Sequence, residues 1–288
     1  MSIGDAEIKT QERVIRFFKD PEILGYQYLG NLSDYQNKNI NEDRLRQYLR
    51  LKGYADKLID AAVMQLQQEA GNLSRGVYDA NKTVYSRLKY GIPVSESPEK
   101  SPVTVELIDE ANPLNNDFAI AEEVTVVEQS EKRPDLVVYL NGIAVAVIEL
   151  KRSSISVSEG IRQNLTNQKD SFIRGFFTTM QFCMAGNESE GLRYGTLLTG
   201  EKFYMEWKDD GFKEHEEERN PVDVRISKTC EGIENKLLQQ IYAMFDKERF
   251  IDLIMNFVVF DKGIKKVCRY NQYFGIKRTQ QRLNNLRT

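Results

Sequence analysis

Asp135, Glu149 and Lys151 are the residues of this chain whose types and spacing best suit chemistry. Asp135 stands at the mouth of an apolar run, Pro134-Asp135-Leu136-Val137-Val138-Tyr139-Leu140, and Glu149-Leu150-Lys151 closes the next, which begins at Ile143. Side chains alternate along a strand, so Glu149 and Lys151 share a face. Two carboxylates brought together form a hard oxygen site of the kind Mg²⁺ prefers, to which the carbonyl of Leu150 can add a ligand. A lysine beside them can hold, or help deprotonate, a water aimed in line at a phosphodiester. The competing reading is structural: Lys151 pairs with Asp135 or Glu149 and ties off a hairpin end. Charges at the tips of oily strands cost several kcal/mol each if buried alone, so either a cleft or mutual pairing must accommodate them.

The rest of the composition narrows the chemistry. The chain has 288 residues and a single histidine, His215, in the charged run Lys213-Glu214-His215-Glu216-Glu217-Glu218. Sites that need two histidines are therefore excluded, and a nucleophile–histidine pair would have to use that one residue. Cys183, Cys230 and Cys268 are far apart and lack CxxC spacing, which argues against a disulfide framework or a thiolate zinc site. The polar N-terminus shows no signal peptide, and no run is apolar enough to span a bilayer; a cytoplasmic protein is expected. The net charge of −3 is unevenly spread, because Lys262–Thr288 holds eight basic residues and no acidic one, leaving about −11 on the remainder. Such a balance permits local phosphate contacts but not a general coating of nucleic acid.

The elements that must position the candidate site read as an α/β domain. Asn41-Glu42-Asp43 is a capped helix start, and Gly53 a natural stop. Apolar spacing predicts helices over 10–19, 55–70 and 78–88, so the first 90 residues or so read as helical. Strands are predicted at 103–108 and 118–127, then at 134–140 and 143–151 as central strands joined by Asn141-Gly142, a strong hairpin signal. A helix over 158–169 follows, then a strand pair at 193–198 and 202–207, helices at 231–246 and 248–257, and a short strand at 258–260. The expected division is an N-terminal helical segment (1–95) that contributes to the same domain as the core (96–228), followed by a helical linker (229–288).

Register supplies a condition. A strict two-residue Asn141-Gly142 turn pairs Leu140 with Ile143 and sets Asp135 opposite Ile148, on the wrong face from Glu149. A metal site therefore requires a three-residue turn, or a bulge in a strand, to shift the pairing. Gln163, on the following helix, could reach the site; otherwise it is an exposed polar residue. Glu42, in a helix first turn, is either a further acidic ligand or a helix-dipole partner.

Arg133-Pro134-Asp135-Leu136-Val137-Val138-Tyr139-Leu140-Asn141-Gly142, followed by Val147-Ile148-Glu149-Leu150-Lys151, resembles the PD-(D/E)xK nuclease core of the restriction (R) subunit of type I restriction–modification enzymes. The likeness extends along the chain. Leu24-Gly25-Tyr26-Gln27-Tyr28-Leu29-Gly30-Asn31, Asn39-Ile40-Asn41-Glu42, Asn115-Asn116-Asp117-Phe118, Phe176-Phe177-Thr178-Thr179, Met184-Ala185-Gly186-Asn187 and Gly191-Leu192-Arg193-Tyr194-Gly195 resemble segments of that subunit in order. The resemblance implies a mixed sheet flanked by helices. Asp135 and Glu149 match its metal-binding carboxylates, Lys151 its catalytic lysine and Gln163 the glutamine of its Q-x-x-x-Y element, where Asn167 replaces the tyrosine. Glu42 is the nearest match to an acid on the first nuclease helix, and Arg152, Arg162 and Lys169 are candidate DNA contacts.

Arg269-Tyr270-Asn271-Gln272-Tyr273-Phe274 resembles the segment before the family's helicase motor, with Gln272 as the adenine-reading glutamine. No G-x-x-x-x-G-K-[S/T] loop occurs, so the chain is expected to be an N-terminal part of a longer subunit, with ATP used only by the whole. The implied function is Mg²⁺-dependent cleavage of double-stranded DNA, with methyltransferase (M) and specificity (S) subunits as partners and no membrane. The alternatives are a non-catalytic docking module of the same motor subunit and, more remotely, a repair or junction nuclease on the same core.

Overall fold

The computed structural model describes residues 3–97, 99–209 and 219–286, so His215 and most of the acidic run around it lie outside the described residues. The chain begins with α1 (Ile3–Lys19), β1 (Gln27–Asn31), α2 (Glu42–Leu51), α3 (Asp56–Gly71) and α4 (Val77–Tyr90). Five strands follow: β2 (Ile92–Val94), β3 (Val103–Val105), β4 (Phe118–Glu122), β5 (Val126–Val127) and β6 (Glu131–Lys132). The centre is β7 (Leu136–Leu140), β8 (Ile143–Leu150), α5 (Val157–Asn167), β9 (Phe182–Asn187) and β10 (Gly191–Gly195). The last third is α6 (Pro221–Glu231), α7 (Lys236–Phe245), α8 (Lys247–Asn256), β11 (Val258–Asp261), β12 (Ile264–Val267) and α9 (Tyr270–Asn285).

Six strands form one mixed sheet in the order β1-β4-β7-β8-β9-β10. β1 runs parallel to β4 and β8 parallel to β9, while the other neighbours are antiparallel. Every residue of β7 and β8 is buried, as expected of strands covered on both faces. One face packs on Val14, Phe18, Leu45, Leu49, Ile241 and Ile254 from the helical layers. The other is covered by Val77, Ile173, Phe176 and Phe177, and at its end by α5.

The hairpin turn is built by the segments that carried the family resemblance. Asn141 and Gly142 both have positive φ, 52° and 81°, the backbone of a two-residue turn matched to strand twist. Asn141 is fully buried; its Oδ1 accepts the backbone N–H of Asp117 at 2.7 Å, and its Nδ2 donates to Leu107 O and Asn116 Oδ1, both at 2.8 Å. A Cβ at Gly142 would lie 2.6 Å from Asn41 O and Leu45 N, so only glycine lets α2 dock against the turn.

Several sequence expectations change. β1 lies inside a stretch read as helical, and it joins the sheet as an edge strand. The later strand pair is β9–β10, joined around 188–190, rather than 193–198 with 202–207; Glu201–Phe203 is a 3₁₀ turn and Met205 only bridges Tyr194. Phe182–Asn187 is apolar on both faces and short, so periodicity could not separate it from a buried helix. The 103–108 and 118–127 segments are shorter strands than expected, and the first C-terminal helix starts at Pro221 with Asn220 as its cap.

Candidate active site

The register condition is met by a bulge. Leu140 pairs with Ile143 and Tyr139 with Ala144, as a two-residue turn demands, but Val138 then pairs with Ala146, leaving Val145 without a partner on β7. Both Val145 and Ala146 consequently face the helical layers, while Ala144 and Val147 face the other side. The shifted ladder continues as Leu136 opposite Ile148, which brings Asp135, just before β7, level with Glu149. At the bulge β8 also changes neighbour: Ala144 N donates to Asn39 O at 2.8 Å, whereas Val145 O accepts from Gln181 N at 2.7 Å at the start of the β9 ladder.

Asp135, Glu149, Lys151 and Gln163 converge at this end of the hairpin. Asp135 Oδ2 accepts the backbone N–H of Leu150 at 2.6 Å and lies 3.9 Å from Lys151 Nζ. Gln163 Nε2 donates to Glu149 Oε2 at 2.6 Å. α5 can approach this closely because Gly160, one turn before Gln163, faces Glu149; a Cβ there would lie 2.9 Å from Ala185 Cβ and 3.3 Å from Glu149 Cβ. Glu149 is wholly buried, and its Oε1 has no hydrogen-bond partner. With no N–H or hydroxyl donor on Glu149 Oε1 and Asp135 beside it, the two carboxyl groups fit a cation, and in its absence a shared proton. Leu150 O accepts from Lys151 Nζ at 2.9 Å and keeps a second lone pair. Among the described residues no group of three or more His, Cys, Asp or Glu side chains is placed to hold a metal ion. Asp135, Glu149 and the Leu150 carbonyl are the oxygens that could hold a cation here, a small set of the kind Mg²⁺ accepts because that ion retains several waters.

Glu7 is the member that sequence reading missed. From α1 its Oε1 lies 3.2 Å from Lys151 Nζ. Four residues on, Gln11 donates to Glu122 Oε2 at 2.9 Å and Glu123 Oε1 at 3.1 Å, so α1 lies over the strand ends. The signal was present: Glu7, Gln11, Val14 and Phe18 fall on one helical stripe, whose last two members are core residues. Glu42 sits instead at the opposite end of the hairpin, where Arg46 and Gln67 bind its carboxylate at 2.7 and 2.8 Å, because α2 docks on the Asn141-Gly142 turn. Arg162 is exposed but engaged by Glu159 and Glu201, Arg152 is half-buried, and Lys169 is exposed. Asn167 is buried in the last turn of α5. Gln272 caps α9, its Oε1 accepting the N–H of Arg269 at 2.9 Å, and it lines a groove with Phe257, Cys268 and Ile276.

Burial raises the Asp135 carboxyl to about 6 despite the opposing charge of Lys151. Burial, with the charge of Asp135 added, lifts Glu149 well above the usual carboxylate range. Burial works against the Lys151 ammonium, yet Asp135, Glu149 and Glu7 outweigh it and raise its pKa. Lys151 is therefore an ammonium at neutral pH, a donor that holds and neutralises rather than a base. For an acid raised on folding, the stability it contributes is complete below its unfolded pKa and is lost as pH rises through the folded one. In the metal-free chain Asp135 should accordingly contribute a loss of stability between about pH 4 and pH 7, and this contribution should be missing from urea unfolding of Asp135→Asn compared with the parent. An equal slope in the variant would remove Asp135 as the source.

Fold and site define a mixed α/β domain with a carboxylate–lysine cluster at the end of its central antiparallel pair. Residues 7–203 match the family model described as "Type I restriction enzyme R protein N terminus", and the chain belongs to that family: it is the N-terminal region of a type I restriction enzyme R subunit. It is 27% identical over 280 residues to the putative type I restriction enzyme MjaVIIIP endonuclease subunit of Methanocaldococcus jannaschii, covering 92% of this chain and 24% of that one. The putative MjaIXP endonuclease subunit of the same organism is 26% identical over 281 residues (90% and 26%). The type I restriction enzyme HindI endonuclease subunit of Haemophilus influenzae is 25% identical over 210 residues (68% and 18%). The chain thus spans about a quarter or less of the length of these relatives. No helix among the described residues is long and apolar enough to cross a membrane.

Proposed function

We propose that the chain is the Mg²⁺-dependent DNA endonuclease domain of its R subunit, a PD-(D/E)xK nuclease acting on double-stranded DNA. The observation that carries this is the convergence of Asp135, Glu149, Lys151 and Gln163 through a bulge, with Glu149 Oε1 left unpaired. Asp135, Glu149 and Leu150 O would hold the ion, which supplies charge stabilisation at the scissile phosphate and a more acidic water. Lys151 donates to the attacking water or a phosphate oxygen and offsets growing negative charge. Gln163 fixes the rotamer of Glu149 and Glu7 that of Lys151. In the whole subunit, cleavage would follow ATP-driven translocation, with Gln272 contacting adenine and M and S subunits providing recognition.

The second reading, a docking module, is favoured by side-chain exposures of only 15% for Asp135 and 14% for Lys151. Mn²⁺ titration by calorimetry separates the two. The parent chain should bind, and Asp135→Asn should weaken binding by at least tenfold. Absence of binding by the parent at millimolar Mn²⁺ would favour the docking module.

A further inference from the structure

Lys265, on β12, is fully buried, yet no carboxylate is among its hydrogen-bond partners. Its Nζ donates to Asn81 Oδ1 at 2.8 Å, Met180 O at 2.9 Å and Gln181 Oε1 at 2.7 Å, three uncharged acceptors, and burial among them pulls its pKa well below the usual lysine value. The rings of Phe260 and Tyr85 lie 5.3 and 5.9 Å from it. Asn81 in turn donates to the carbonyls of Phe177, Thr178 and Met180, so α4 and the β11–β12 hairpin together clamp the segment leading into β9. A methionine would fill the volume without the cost of desolvating an amine, but it would take this donor from Asn81 Oδ1, Met180 O and Gln181 Oε1.

That geometry leads to the site. Gln181, held by Lys265 through its side chain, donates its backbone N–H to Val145 O at 2.7 Å. Val145 is the extra residue of the bulge that moves Asp135 from the wrong register to a place level with Glu149. Gln181 is further fixed by Thr196 Oγ1, which donates to its carbonyl at 2.6 Å, and by its own Nε2, which donates to Thr179 O at 2.7 Å.

We propose that Lys265 is a positioning residue, locking Gln181 and hence the β8 bulge, so that the β11–β12 hairpin, which begins 109 residues downstream of Glu149, sets the alignment of the Asp135–Glu149 pair. The inference rests on the nuclease reading for its consequence, but its mechanical part does not. Hydrogen exchange by NMR on the full chain reads that part directly. In Lys265→Met the amides of Gln181 and of Leu150, the latter bonded to Asp135, should exchange at least tenfold faster, beyond any change common to the slow amides of α3. Mn²⁺ affinity should fall about tenfold in the same variant.

Lys265→Gln keeps an amide donor and should lie between parent and Lys265→Met in both measurements, and it serves alone if Lys265→Met does not fold. Faster exchange confined to the hairpin, with Leu150 unchanged, would overturn the proposal and make Lys265 an anchor only. Faster Leu150 exchange in a chain whose parent binds no Mn²⁺ would uphold the coupling and defeat the nuclease reading instead.

Discussion

On the proposed nuclease reading, Lys151→Ala is expected to reduce DNA cleavage by the reconstituted enzyme by ~10²–10³-fold while leaving ATP-driven translocation intact. The expectation follows from the amine's surroundings. Lys151 Nζ lies within 3.9 Å of Asp135 and 3.2 Å of Glu7, which with Glu149 hold it charged. Removing it leaves Asp135 and Glu7 without the ammonium between them, so the variant loses both a donor to the reacting groups and the charge that offsets them. Lys151→Arg tests the geometry separately. A planar guanidinium cannot reproduce a compact ammonium in a space with 14% side-chain exposure, so it should not restore cleavage. Undiminished cleavage by Lys151→Ala would remove the residue from the site, and a parallel loss of translocation would point to a structural role.

The second large effect concerns stability. Arg249→Leu should destabilise the chain by about 3–5 kcal/mol, read by urea unfolding. Arg249 on α8 is completely buried; it donates to Asp209 Oδ2 at 2.5 Å, Asp223 Oδ1 at 2.9 Å and Ala243 O at 2.9 Å. Trp207, Tyr273 and Phe274 surround the guanidinium at 5.3–5.5 Å, and Tyr273 also donates to Asp223 Oδ1 at 3.1 Å. One side chain thereby joins α6, α8, α9 and the segment after β10. Leucine would leave Asp223, with 2% side-chain exposure, and Asp209, with 8%, buried near each other with their main counter-charge gone. Adding Asp223→Asn should recover part of the loss, because the cost is that of an uncompensated charge rather than of a missing contact. A loss below about 1 kcal/mol would mean that water or Arg219 takes over the pairing.

Much of the site was legible in the residues. Asp135, Glu149, Lys151 and Gln163 could be named because polar groups at the ends of oily runs are costly and stand out, and because each sits in a segment that resembles a family pattern. The helices over 42–51, 56–71 and 77–90 were legible from period and caps, and the two-residue turn from Asn141-Gly142. The sequence also stated the condition on its own site: with that turn, Asp135 and Glu149 share a face only if a strand carries an extra residue.

Only the tertiary structure decided where the extra residue falls. Val145 is an ordinary valine in an apolar run, and it bulges because β8 changes partner there, from Asn39 to Gln181, which lie far apart in sequence. The same holds for Glu7, an acid on a helix stripe until α1 folds over the strand ends, and for Glu42, whose helix docks at the other end of the hairpin. It holds most of all for Lys265 and Arg249. In the sequence they are two more cations, the first counted in a basic tail; in the fold each is buried and held by hydrogen bonds to distant segments. Local spacing is set by covalent geometry and can be read along the chain. Burial and pairing depend on which distant segments meet, and that depends on the whole packing.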